Sequence, residues 1–270
     1  MGPRPLKPRG GAQPNMIQAC DMLNTITHGT PTDLAPLLIV HGLFGSARNW
    51  GVIAKRLSDT RQVVAIDMRN HGDSPAMDSH SYADMAADLA KVIAGIAPKM
   101  DVMGHSMGGK AAMMLALTRP ALINKLIVAD IAPTPYDHSQ DGPLHAMLGV
   151  DLSQITSRKD AADQMDVDAG TAAFLLQSLD LQNKRWKLNL DVLARDMPQI
   201  VGWPAPAGQF DGPALFLRGA NSSYVPDSAA PAIHAAFPAA LIETVPDAGH
   251  WLHAEQPRAV EAAVRAFLDA

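Results

Sequence analysis

The chain is short of several things, and each shortage narrows what it does. A single cysteine, Cys20, stands among 270 residues, so no internal disulfide can form; a reducing, cytoplasmic setting is expected. Basic residues number 22 against 27 acidic ones, a formal net charge of -5. A chain without a basic excess is not a general nucleic-acid binder. Long apolar runs are missing too: Leu37-Leu38-Ile39-Val40 is far too short to cross a bilayer. Ten histidines are present, but neither an H-E-x-x-H pattern nor paired cysteines accompany them, so no metal site is indicated. No G-x-x-x-x-G-K-[ST] phosphate loop occurs either. What the chain does have is 47% hydrophobic and 18% charged residues, a balance that buries a core.

Residues 1–15 stand apart. They hold Pro3, Pro5, Pro8 and Pro14 with Arg4, Lys7 and Arg9 and no acid. Without an apolar stretch they are no secretory signal. A basic, acid-free stretch would suit an organellar presequence, but the prolines oppose the amphipathic helix of such a segment. The reading is a flexible extension.

From Leu37 onward, short apolar runs alternate with helical patterns. Leu37–Val40, Val63–Ile66, Met100–Met103, Leu126–Ala129, Ala214–Leu217 and Leu241–Val245 read as buried strands. In Tyr82–Ile96 the residues Met85, Leu89, Val92, Ile93 and Ile96 share one helical face. Ser106–Leu117 and Pro257–Leu268 also read as helices. Strands alternating with helices predict a mostly parallel sheet covered on both faces. Between 135 and 210 the rhythm breaks: helical patterns such as Thr171–Leu179 and Leu188–Leu193 appear, and no convincing strand. The expected division is a core of 16–134 and 211–270 with a small helical cap over 135–210.

The sharpest chemical signal is Gly104-His105-Ser106-Met107-Gly108, directly after one expected strand and before a helix. That is the context of a nucleophile elbow, in which glycines permit a sharp turn that presents Ser106 at a helix N-terminus. A serine hydroxyl needs a base. His250, in Asp247-Ala248-Gly249-His250-Trp251, follows the last expected strand, so it reaches the same sheet edge as Ser106. His253 competes locally but reads as the start of the final helix. His41, His71 and His105 sit in motifs at strand ends and read as backbone supports. An acid must orient the imidazole. Asp130 ends the strand after the nucleophile strand, and Asp227 is the first carboxylate beyond Leu217-Arg218-Gly219. Roles and geometry favour Asp130, with Asp227 the alternative; Asp67 reads as loop support. His41-Gly42-Leu43-Phe44-Gly45 supplies the electrophilic part: the N–H groups of Leu43 and Met107 are the candidate oxyanion donors. Met103, Met107, Met113 and Met114 crowd near the nucleophile, either as core packing or as an acyl-pocket lining.

These stretches together resemble the α/β-hydrolase superfamily, and within it the bacterial YbfF-type esterases and their mitochondrial abhydrolase-domain relatives. The resemblance rests on HGLFGS at His41–Ser46, DMRNHGDSP at Asp67–Pro75 and GHSMGGKA at Gly104–Ala111. ADIAP at Ala129–Pro133, IVGW at Ile200–Trp203 and GHWLHAEQP at Gly249–Pro257 complete it. It implies an eight-stranded sheet, a small helical cap and esterase activity on small-molecule esters of short acyl chains, with thioesters open; no cofactor is implied. Its acid after the sixth strand matches Asp130, and Met68 and Lys110 also match without an assigned catalytic part. A carbon–carbon bond hydrolase, a cofactor-free haloperoxidase or a hydrolase-fold binding protein is the alternative on the same residues.

Overall fold

A computed structural model describes residues 23–136 and 139–270. The extension expected over 1–15, Cys20 and His138 lie outside the described residues. The strands are β1 (Thr25–His28), β2 (Leu37–Val40), β3 (Val63–Ile66), β4 (Met100–His105), β5 (Ile123–Ala129), β6 (Leu179–Asp180), β7 (Arg185–Trp186), β8 (Ala214–Gly219) and β9 (Ala240–Val245). Seven of them form one sheet in the order β1-β3-β2-β4-β5-β8-β9. Every pairing is parallel except that of β1 with β3. Among the described residues the sheet thus has seven strands, where the resemblance implies eight. β1 carries no apolar run, and its half-exposed TITH pattern explains why hydrophobicity gives no sign of it.

The apolar runs are continuous because both faces of the sheet are covered. Leu38 and Val40 of β2 face one core cluster with Val64 and Ile66 of β3, Val102 of β4 and Phe216 of β8. Leu37 and Ile39 face the other, with Val63, Ala65, Met103 and Leu215. The alternation follows from successive side chains pointing to opposite sides of a strand. On the first face lie α2 (Tyr82–Ile96) and α3 (Met107–Thr118), and on the second α1 (Gly51–Leu57) and, at the C-terminus, a helix built on Val260, Val264 and Leu268. Helix α2 begins where Ser81 Oγ accepts the Asp84 N–H at 3.2 Å and buries Met85, Leu89, Val92 and Ile93; Ile96, at its end, is exposed instead.

Between β5 and β8 the chain leaves the sheet. It forms α4 (Asp141–Leu148), α5 (Arg158–Ala162), α6 (Ala169–Leu175), the short hairpin β6–β7, and α7 (Leu190–Val201). The hairpin has no counterpart in the sequence pattern, because two residues per strand are too few to leave one. The sheet then closes through α8 (Ala230–Ala236), β9, α9 (Leu252–Glu255) and α10 (Pro257–Asp269). Lys110 of α3 ties the insertion down. Fully buried, its Nζ donates to the carbonyls of Val201 at 3.1 Å and Gly202 at 2.6 Å, at the C-terminus of α7, and lies 4.4 Å from the Tyr136 ring centre.

Candidate active site

Ser106 sits between β4 and α3 with φ 52° and ψ −120°, a conformation that a residue with a side chain adopts only under constraint. The constraint is close packing of backbone. A Cβ on Gly104 would lie 2.3 Å from the Gly108 carbonyl oxygen, and one on Gly108 would lie 2.4 Å from the His41 carbonyl oxygen. Both positions therefore require glycine, and the loop after β2 comes directly against the turn. A Cβ on Gly42 would meet Ser106 Cβ at 3.2 Å.

Three elements converge on the serine. His250, from the loop after β9, places Nε2 3.1 Å from Ser106 Oγ. Its Nδ1 lies 2.7 Å from Asp130 Oδ2, at the end of β5, so Nδ1–H donates to the carboxylate and Nε2 is free to accept from the hydroxyl. Asp130 is fully buried, which is costly for a carboxylate unless donors surround it. Gly219 N–H donates to Oδ1 at 2.9 Å, and the Ser222 hydroxyl donates to Oδ2. Asp227, the alternative acid, lies elsewhere: 91% exposed, it pairs with Arg218 Nη1 at 2.5 Å.

Neither Leu43 N–H nor Met107 N–H has a hydrogen-bond partner among the described residues. His41, His71 and His105 hold backbone. His41 Nε2 accepts Met68 N–H at 2.9 Å, and its Nδ1–H donates to the Gly42 carbonyl at 2.7 Å. His71 Nε2 accepts Phe44 N–H at 3.2 Å, and His105 Nε2–H donates to the His250 carbonyl at 2.8 Å. Burial pushes the pKa of all three below the ordinary histidine value, which keeps these rings neutral. His253 stacks on Trp50 with ring centres 4.2 Å apart, and burial pushes it down to about 3. It supports a wall and does not approach the Ser106 hydroxyl as His250 does. Asp67 holds loops, accepting Ala47 N–H at 2.8 Å and Asp73 N–H at 2.9 Å.

A cavity of about 380 Å³ opens over Ser106 and His250. The core side contributes Trp50, and the insertion contributes Tyr136, Phe174 and Leu175. Met103, Met107, Met113 and Met114 do not line it; they are core residues, and aromatic rings take the wall instead. Two contributors escaped the sequence reading. Ser222 stands where a carboxylate was sought after β8, and a lone hydroxyl in a loop carries no distinguishing pattern. Tyr224 stacks on the His250 ring at 3.8 Å and 16°, a contact between residues 26 positions apart with a strand between them. Among the described residues no group of three or more His, Cys, Asp or Glu is arranged to hold a metal ion. No helix among them is long and apolar enough to cross a membrane.

Comparison with known proteins agrees with this architecture. The profile of the alpha/beta hydrolase family matches residues 37–263. The chain is 40% identical over 241 residues to the esterase YbfF of Escherichia coli (strain K12), covering 87% of this chain and 93% of that protein. It is also 40% identical over 251 residues to the sn-1-specific diacylglycerol lipase ABHD11 of Mus musculus, covering 87% of this chain and 81% of the relative. A solved structure of a marine microorganism esterase superposes with a TM-score of 0.86 at 37% identity, over 91% of this chain and 99% of that one. On the profile match and these identities together, the chain is a member of the alpha/beta hydrolase family.

Proposed function

We propose that the protein is a serine esterase that hydrolyses short-to-medium acyl carboxylic esters through an acyl-enzyme. The observation that carries this is the hydrogen-bonded chain from Ser106 Oγ to His250 Nε2 at 3.1 Å and from His250 Nδ1 to Asp130 at 2.7 Å. Ser106 attacks the ester carbonyl while His250 takes its proton. Asp130 holds the Nδ1–H tautomer and stabilises the imidazolium that forms. The unpartnered N–H groups of Leu43 and Met107 receive the negative oxygen of the tetrahedral intermediate. His250 then protonates the departing alkoxide, and the same base activates water to release the acid. The insertion acts as a cap whose aromatic side chains receive the acyl chain.

Relatives at 40% identity named esterase and diacylglycerol lipase support ester chemistry for this site. A thioester would follow the same route, with a thiolate as the leaving group. The test is hydrolysis of p-nitrophenyl esters with acyl chains from two to twelve carbons by the wild type, Ser106→Ala and Asp130→Asn. Turnover that vanishes in Ser106→Ala is expected, and the optimum chain length sizes the acyl pocket. A folded wild type that cleaves none of the esters removes this reading in favour of carbon–carbon cleavage or ligand binding.

A further inference from the structure

The loop after β2 is strained at one residue, and the strain has two keepers. Gly45 N–H donates to the Gly42 carbonyl at 3.0 Å, closing a turn over Gly42–Gly45. Phe44, its third residue, has φ 61°, whereas Leu43 has no positive φ; that combination belongs to a type II turn, which favours glycine at the third position. A bulky residue held there is strained and persists only when its surroundings over-determine it. Relaxation to a negative φ would turn over the Leu43–Phe44 peptide plane and move the loop that presents Leu43 N–H.

Both polar groups of Phe44 are engaged, the carbonyl by the insertion and the N–H by His71, a residue of the loop after β3 that is itself bridged to the insertion. Its N–H donates to His71 Nε2 at 3.2 Å. His71 is in turn bridged to Leu188, flanked by Gly72 N–H to the Lys187 carbonyl at 2.8 Å and Asn189 N–H to the Asn70 carbonyl at 3.0 Å. The Phe44 carbonyl accepts the hydroxyl of Ser178 at 3.0 Å, and Ser178 belongs to the stretch that joins α6 to β6. Ser178 and His71 are buried, and neither lines the cavity over Ser106.

We propose that Ser178 and His71 are positioning residues for the oxyanion hole: Ser178 from the insertion, and His71 from the loop that the insertion braces, clamp the Phe44 turn and thereby hold Leu43 N–H toward the reacting carbonyl. This rests on the assignment of Leu43 as an oxyanion donor. The insertion then does more than receive the acyl chain, because it completes the electrostatic part of a site whose nucleophile, base and acid all come from the sheet.

The test uses Ser178→Ala, with Ser178→Thr restoring a hydroxyl, and His71→Leu against His71→Gln, which keeps an acceptor. Each is measured for kcat and KM on the best p-nitrophenyl ester. Each is also measured for affinity toward a trifluoromethyl ketone, whose adduct with Ser106 carries an oxyanion. In Ser178→Ala, kcat is expected to fall about 10- to 100-fold, since the donor is displaced rather than deleted. KM stays near the wild-type value, ketone affinity falls in parallel with kcat, and Ser178→Thr recovers both. His71→Leu is expected to repeat the pattern; thermal unfolding identifies a variant that simply fails to fold, and Ser178→Ala then decides. Wild-type kcat and ketone affinity in Ser178→Ala, or a loss confined to KM, overturns the proposal. A wild type without esterase activity, or a Ser106→Ala that retains it, instead removes the reading on which the proposal rests.

Discussion

The sheet and the helical insertion between β5 and β8 share apolar burial and differ in the polar links that accompany it. Every residue of β2, β3 and β4 is buried, and the two core clusters on either side of the sheet are apolar. The insertion shares the first of these clusters, through residues such as Leu144, Leu193 and Ile200, and polar links are added at its seam with the sheet loops. Lys110 binds the end of α7, Asp196 accepts His80 N–H at 2.8 Å, and Ser178 binds Phe44. Apolar burial is non-directional and tolerates repacking, whereas hydrogen bonds fix one register. The sheet is therefore suited to stability and the seam to geometry. The residues proposed to perform chemistry stand on the first, and those proposed to select and position stand on the second.

The largest test of that division removes the chemistry from the sheet edge. Ser106→Ala should lower turnover by about 10⁴-fold or more for every acyl chain alike, because the loss does not depend on how the insertion holds the chain. Asp130→Asn should cost about 10⁴-fold in kcat through the wrong imidazole tautomer, while Asp227→Asn, on the exposed side of Arg218, should leave kcat unchanged. Steady-state kinetics on one ester series checks both. An equal effect of the two carboxylate variants would move the acid away from β5.

Stability should separate the regions next. Phe216→Ala, in the middle of β8 and fully buried, should cost about 3–5 kcal/mol in denaturant unfolding. Phe174→Ala, half-buried at the cavity wall and 5.2 Å from the Trp251 ring, should cost about 1 kcal/mol and instead move the optimum chain length upward. A large stability loss with no change of chain-length profile would show that the insertion wall is core rather than pocket.

The last test probes the seam by pH. Burial pushes Lys110 down to about 7. In the unfolded chain a lysine keeps its proton to about 10.4, so between these values the unfolded state binds more protons and stability rises with pH. The cost of the buried charge is fully present below the folded value and is relieved above it. Lys110→Met lacks this titration, so the melting temperature of the wild type minus that of the variant should grow as pH rises from 7 toward about 10. A difference that stays constant across the range would mean that the Val201 and Gly202 carbonyls keep the ammonium charged throughout.

Legibility in the sequence follows the same boundary. Leu37–Val40 and Val63–Ile66 coincide with β2 and β3 at both ends, because an unbroken apolar run is what a strand buried on two faces requires. β1 was illegible, since a half-exposed edge strand needs no such run. Ser106, His250 and Asp130 could be chosen because a glycine-flanked serine and strand-end polar residues are unusual in apolar surroundings. Ser178, Ser222 and Tyr224 could not. Each is an ordinary residue in a loop or helix end, and it matters only through a partner at the far side of a sheet or insertion. His80, whose sequence neighbours carry no motif, is fully buried with Nε2 3.2 Å from Met107 Sδ.

Local chemistry written along the chain was enough to determine the alternating strands and helices, the glycine-enforced turn at Ser106 and the parallel sheet that brings strand ends to one edge. Those follow from periodicity and from steric rules that act over a few residues. Tertiary structure alone decided that Ser222 and Gly219 surround the Asp130 carboxylate, that aromatic rings rather than methionines line the cavity, and that Ser178 of the insertion binds the Phe44 carbonyl. Each of these is a contact between segments distant in sequence, and its geometry depends on how whole elements pack rather than on any residue's own preference.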